Sequence, residues 1–163
     1  MKILETRLET YPNVKLIGKR YTDADRDENG SFAQKWGQWF QNNWFSQLKG
    51  GIQGVSDDFV GLMRYTETGF EYWIGVLMDP RDPVPEGFSS VEVPGGDVAV
   101  SFVYGKEGPD IYGMEAYEGS VAAWAEHGWV PDLNAWYMER YNCPRFTQPD
   151  DQGNVVLDYC VWL

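Results

Sequence analysis

The stretch A-W-Y-M-E-R-Y, Ala135 to Tyr141, decides how the chain is read. Aromatic residues alternate with others and neither glycine nor proline interrupts them, which is the pattern of a β-strand. A period of two puts Tyr137, Glu139 and Tyr141 on one face and Trp136, Met138 and Arg140 on the other. In a central strand, Glu139 is then a carboxylate flanked by two phenols. Such a group must be hydrogen-bonded, be protonated or meet a cation, because an unpaired buried charge is very costly. Two readings are open: the tyrosines satisfy a structural acid, or Glu139 is the floor of a ligand pocket.

The neighbouring segments give this strand its setting. A last strand is predicted over Asn154–Leu163, after the turn-like P-D-D-Q-G. Upstream, a helix is predicted from Asp110 to about His127, with Tyr117, Val121 and Trp124 on one face and Gly128 beyond its end. Gly113 and Gly119 oppose that helix by about 1 kcal/mol each relative to alanine. Short strands are predicted at Phe88–Val93 and Val98–Tyr104. The three-proline loop D-P-R-D-P-V-P-E-G before them is the natural internal boundary. Further upstream, Phe59–Tyr65 and Phe70–Met78 are strands joined by T-E-T-G. A helix starts at Ser31, which has capping-box spacing to Gln34, and carries Phe32, Trp36, Trp39 and Phe40 at helical intervals. Lys49-Gly50-Gly51 is predicted to close it. Val14–Tyr21 is the first strand, following Tyr11-Pro12.

The order strand–helix–strand–strand therefore occurs twice, within residues 1–78 and 79–163. Residue correspondences support a repeat as well. Pro12 precedes Leu16 as Pro94 precedes Val98, and Leu62-Met63-Arg64-Tyr65 answers Met138-Glu139-Arg140-Tyr141. In that register Met63 is the counterpart of Glu139, so the carboxylate belongs to one half alone. A requirement common to both halves does not explain it, which favours a functional role.

Composition narrows the chemistry. The 163 residues suit a single domain, and 16% are aromatic, more than a core of this size needs, so part of that surface lines a cavity or contact. Thirteen basic against 25 acidic residues leave a net charge of −12, which argues against direct binding to nucleic acid or to an anionic membrane. Two cysteines, Cys143 and Cys160, are too few for a disulfide scaffold or a zinc site. The N-terminus M-K-I-L-E-T-R-L-E has no long apolar run, so neither a signal peptide nor a membrane span is expected, and a cytoplasmic protein follows. No phosphate loop, dinucleotide fingerprint, C-x-x-C or H-E-x-x-H occurs, so neither a cofactor nor a metal is expected. The one histidine, His127, lies at a helix end with no nucleophile motif directed at it.

The ordered set P-x-x-x-L-I-G (Pro12–Gly18), Y-W-I-G-V (Tyr72–Val76), V-P-G-G-D-V-A-V (Val93–Val100), W-A-E-H-G (Trp124–Gly128) and the E-x-Y of Glu139 and Tyr141 resembles the GyrI-like small-molecule-binding domains. These include effector-binding domains of bacterial AraC- and MerR-type regulators. The resemblance covers nearly the whole chain. It implies an α+β fold of two fused βαββ units related by a pseudo-twofold, with helices on the outer face and a ligand cleft between the halves. Members bind apolar, often cationic aromatic compounds, and the glutamate matching Glu139 sits in that cleft. Some stand-alone members protect DNA gyrase from toxins, and others are similar to hydrolases of cyclopropane-containing DNA alkylators. The chain opens directly on this domain, so no helix-turn-helix is expected. Its ending, V-L-D-Y-C-V-W-L, lacks the proline often found in the last strand.

The expectation is thus a stand-alone binder of aromatic, cationic toxic compounds. The alternatives are a cyclopropanoid hydrolase using the same pocket, or a partner of a topoisomerase or a regulator. Glu139 is the principal candidate as binding residue or general base, with a tyrosine such as Tyr112 or Tyr137 as the proton donor. Tyr137, Tyr141, Trp39, Trp44, Tyr72 and Tyr112 are candidates for the ligand walls, each with core packing as the competing role. On the strand Phe70–Met78, either Tyr72 faces inward or Glu71 and Trp73 do, with Glu71 expected in solvent.

Overall fold

In the computed structural model, which describes residues 1–48 and 58–163, eight strands form one antiparallel sheet. They are β1 (Lys2–Tyr11), β2 (Val14–Thr22), β3 (Phe59–Thr66), β4 (Gly69–Met78), β5 (Ser89–Val93), β6 (Gly96–Lys106), β7 (Tyr137–Tyr141) and β8 (Asn154–Trp162). The order across the sheet is β1-β6-β8-β7-β3-β4-β2-β5. The stretch carrying Glu139 is therefore central, with β3 on one side and β8 on the other. Among the described residues the α-helices are few: α1 (Ala33–Gln41), the single turn α2 (Pro109–Tyr112) and α3 (Met114–Glu126). No helix among the described residues is long and apolar enough to cross a membrane.

Both faces of the sheet are packed. Register decides which side chains share a face: Glu139 stands opposite Tyr159 on β8 and Gly61 on β3, and Gly61 stands opposite Ile74 on β4. On this face Ile17, Tyr72, Ile74 and Val76 pack with Phe32 and Trp39 at one end. Ala99, Val103, Leu157, Tyr159 and Val161 pack with Ile111, Ala116 and Trp124 at the other. The helices thus cover the two ends, and β7 and β3 run between them. The opposite face holds a core shared by both ends, with Leu16, Leu62, Trp73, Val100, Trp136, Met138 and Trp162.

Two glycines of the quoted motifs make a close sheet contact. Gly18 and Gly75 are paired across β2 and β4. A Cβ on Gly18 would lie 1.9 Å from the Ile74 carbonyl oxygen, and one on Gly75 would lie 2.1 Å from that of Ile17. Only glycine allows the two backbones this approach.

Several predicted elements are corrected. β1 was not anticipated as a strand, and it pairs with β6 rather than with its chain neighbour β2. The first helix begins at Ala33, where the Ser31 hydroxyl accepts the Ala33 N–H at 3.0 Å, and it ends at Gln41. Asn43 stops it by adopting φ 53°, and the Asn42 side chain bonds the Gln38 carbonyl at 2.8 Å. Lys49-Gly50-Gly51 lies outside the described residues. Phe40, placed on the apolar face, is 58% exposed. The helix predicted over 110–127 is broken at Gly113, whose ψ of 173° is extended.

Candidate functional site

Glu139 sits mid-sheet because β7 is paired on both sides, and the residue is half-buried. The Tyr141 hydroxyl donates to Glu139 Oε2 at 2.8 Å. Burial pushes the Glu139 carboxyl above its ordinary 4.5, and the Tyr141 hydrogen bond opposes that rise. Tyr72, Tyr112, Tyr141 and Tyr159 all lie within electrostatic reach of Glu139. Burial raises each phenol first, and the Glu139 charge raises it further. At neutral pH these four hydroxyls keep their protons and are available as hydrogen-bond donors.

Their partners differ. Tyr159 donates to the Ile111 carbonyl at 2.6 Å, which ties α2 to the sheet and holds Tyr112 near Glu139. Tyr112, 45% exposed, donates to Glu107 at 3.1 Å. Tyr72 accepts the indole N–H of Trp36 at 3.0 Å. Trp36 is half-buried and also meets the Tyr141 ring edge-on, with centroids 4.8 Å apart. Phe146 meets the Tyr141 ring from a second direction, again at 4.8 Å. Gly61, across from Glu139, leaves the room these rings use: a Cβ there would lie 2.6 Å from Tyr72 Oη and 3.4 Å from the Trp36 ring.

The structure therefore brings together Glu139, Tyr141, Tyr72 and Tyr112 of the predicted residues. Tyr137 is on the same face but turned toward α3, its ring 5.9 Å from Tyr117 and 6.3 Å from Trp124. Burial, then Tyr117, pushes its hydroxyl up to about 12. Trp39 and Trp44 lie apart from the group. Trp39 is wholly buried and donates to the Tyr21 hydroxyl at 3.1 Å. Trp44 packs edge-on against Trp39 and carries the Lys19 ammonium 4.3 Å above its ring. His127 caps the end of α3 and stacks on Trp129 at 4.3 Å.

The parity of β4 is resolved with both outcomes buried. Tyr72 faces Glu139's side, and Glu71 and Trp73 face the other. Glu71, expected in solvent, is 5% exposed, accepts the Trp73 N–H at 2.6 Å and pairs with Arg64 at 3.3 Å. Tyr159 and Trp36 are the members of the site that sequence reasoning left out. In the sequence Trp36 stands only as one of four aromatic residues at helical spacing. No periodic signal marks Tyr159, because β8 is buried on both faces along most of its length.

Behind Glu139, the next side chain on β7 anchors the strand. Arg140 is buried and bonds Asp158 at 2.8 Å, Glu9 at 2.8 and 3.2 Å and the Tyr11 hydroxyl at 2.6 Å. Arg145 adds a second cation to the fully buried Asp158 at 2.5 Å. Among the described residues no group of three or more His, Cys, Asp or Glu could hold a metal ion.

No family model matches the chain, and no curated protein matches it. Solved structures are similar to it in fold. SAV2435 bound to tetraphenylphosphonium superposes with a TM-score of 0.73 at 16% identity, over 98% of this chain and 93% of that one. A protein of Staphylococcus aureus MU50, named provisionally as a bacterial transcription regulation protein, gives 0.69 at 14% identity, over 97% of both chains. An integron cassette protein from the mobile metagenome of Vibrio cholerae gives 0.55 at 10% identity, over 98% of this chain and 96% of that one.

Proposed function

We propose that this protein captures aromatic, cationic small molecules over β7, with Glu139 supplying the charge and the surrounding rings the contact area. The observation that carries this is the Glu139 carboxylate on a central strand, set among Tyr72, Tyr112, Tyr141 and Tyr159. The likeness of fold to SAV2435, which is bound to tetraphenylphosphonium, supports it.

We read the chain as one GyrI-like domain of two βαββ halves, 1–78 and 79–163, with the ligand cleft where they meet. The strand order supports a pseudo-twofold: outward from the central pair run β4, β2 and β5 on one side and β8, β6 and β1 on the other. The pairing register supports it as well. Leu62 faces Met138, the residue that the repeat equates with it, so an axis would pass through that pair. The same axis would interchange the Gly61–Glu139 pair with the Met63–Tyr137 pair. On this reading the edge strands are exchanged, since β1 pairs with β6 and β5 with β2.

Calorimetric titration with tetraphenylphosphonium tests the reading. The wild type is expected to bind one equivalent. Glu139→Gln should lose about 2–3 kcal/mol, roughly the attraction between unit charges about 6–8 Å apart at an effective dielectric of about 20, since this cation has no hydrogen-bond donor. Binding that is absent, or indifferent to Glu139→Gln, rejects it.

A second reading is a hydrolase of cyclopropane-containing alkylators, favoured by a carboxyl of raised pKa beside phenols that keep their protons. Glu139 would take a proton from the attacking water while a phenol donates to the carbonyl oxygen that gains charge. Multiple turnovers to a water-added product, seen by mass spectrometry and lost in Glu139→Gln, would establish it. A third reading, an acidic partner of a topoisomerase or a regulator, draws on the net charge of −12. It requires a salt-sensitive complex with gyrase that survives Glu139→Gln.

A further inference from the structure

We propose that Tyr72 is the hydrogen-bond donor through which this site selects its ligands, favouring aromatic cations that also carry a carbonyl or similar acceptor. The inference rests on the small-molecule reading above and specifies the ligand class. It follows from where the hydroxyl protons around Glu139 go. Tyr141 gives its proton to Glu139, Tyr159 to the Ile111 carbonyl and Tyr112 to Glu107. Tyr72 differs: its oxygen accepts the Trp36 N–H, and among the described residues its own proton has no acceptor. A buried hydroxyl that only accepts leaves a donor unsatisfied, and a ligand oxygen would complete it.

Position supports the same assignment. The Tyr72 hydroxyl overhangs Gly61, where a Cβ would come within 2.6 Å of it, and Gly61 is paired with Glu139. An aromatic cation lying over Glu139 and against Tyr141 comes alongside this glycine, with no side chain of β3 between it and the hydroxyl. Trp36 is the side chain that would yield, since it stands over Gly61 and is half-exposed. A site with this arrangement reads two features at once, positive charge at Glu139 and an acceptor at Tyr72.

The test compares 3-isopropenyl-1-methylquinolinium with 3-acetyl-1-methylquinolinium, which share ring, charge and shape and differ in a CH2 group in place of the carbonyl oxygen. In the wild type the acetyl compound is expected to bind roughly threefold to tenfold more tightly, the worth of one neutral hydrogen bond. In Tyr72→Phe the two should bind alike. The ratio of the two affinities on one preparation does not depend on how much of a variant folds. Equal affinities in the wild type overturn the inference and leave the small-molecule reading standing. An acetyl preference that survives Tyr72→Phe and disappears with Tyr112→Phe moves the donor to Tyr112 and also overturns it. Failure of the wild type to bind either compound overturns both.

Discussion

The Tyr141 hydroxyl donates to Glu139 Oε2 at 2.8 Å from two residues further along the same strand. Strand alternation alone brings the two side chains to one face. Trp36 and Phe146 then hold the Tyr141 ring from two directions, so the donor is aimed before any ligand arrives. Burial favours the protonated acid, and this bond favours the carboxylate.

That opposition can be read from the pH dependence of binding. Cation capture requires ionised Glu139, so affinity for tetraphenylphosphonium should rise with pH through the raised pKa and then level off. Tyr141→Phe removes the donor that stabilises the carboxylate, so the whole curve should move to higher pH. On its rising part the variant should bind roughly tenfold to a hundredfold more weakly, as expected for loss of a charged hydrogen bond of about 1.5–3 kcal/mol. A neutral aromatic compound should show no such curve in either protein.

Gly61→Ala tests how tightly the rings are fitted. Its Cβ would come within 2.6 Å of Tyr72 Oη, forcing the phenol and the Trp36 indole bonded to it to shift. Overpacking of this kind costs about 1–3 kcal/mol. Urea denaturation should show that loss, and tetraphenylphosphonium titration should show weakened binding. An unchanged titration would mean that the Tyr72–Trp36 pair is not part of the binding surface.

Much of this arrangement was legible in the sequence, and what was not has physical causes. The alternation in Ala135–Tyr141 correctly put Glu139 and Tyr141 on one face, because residues 137, 139 and 141 are less buried than 138 and 140. Where both faces are buried, as in β4 and β8, alternation carries no information. That is why the orientation of Glu71 and Tyr72 stayed open and Tyr159 was missed. β1 escaped for another reason. Its register slips between Ile3 and Glu5, leaving Leu4 as an extra residue, 50% exposed, so the apolar positions fall out of phase. Its partner β6 also lies far along the chain, beyond the reach of any local pattern.

The buried ion cluster behind Glu139 predicts a large stability effect. Arg140→Leu would leave Asp158, fully buried, with Arg145 alone, and would remove the two hydrogen bonds that Arg140 gives Glu9, which keeps those from Arg7. Removing one partner from a buried pair costs about 3–5 kcal/mol, and chemical denaturation should show a loss of that order. Glu9 supplies an acid-side signature. Burial alone would raise its pKa, but the hydrogen bond and charge of Arg140, with Arg7, hold it below 4.5. A carboxylate depressed in the folded state contributes stability above its unfolded pKa and loses it as pH falls through the folded value. Glu9→Gln should therefore flatten the stability curve below about pH 4.5, the ordinary value from which Glu9 is lowered. Equal acid sensitivity in the variant would assign that region to other groups.

Glu139 carries the opposite linkage, which separates a functional acid from a structural one. Its folded pKa lies above 4.5, so between the unfolded and folded values the unfolded chain has released a proton that the native protein still holds. Fewer protons bound in the unfolded state means that stability falls as pH rises through that window, and the deficit persists above it. Glu139→Gln keeps the shape and a hydrogen-bond acceptor for Tyr141 while removing the charge that burial penalises. The variant should therefore be more stable than the wild type at pH 7, with the difference shrinking towards pH 4. Thermal denaturation across that range measures it. A site that gains stability when its acid is neutralised, yet loses cation affinity, has its carboxylate retained for binding or chemistry rather than for the fold. Destabilisation by Glu139→Gln at pH 7 would instead make the Tyr141–Glu139 bond a structural tie. The charge at the centre of the sheet would then be part of what holds β7 in place.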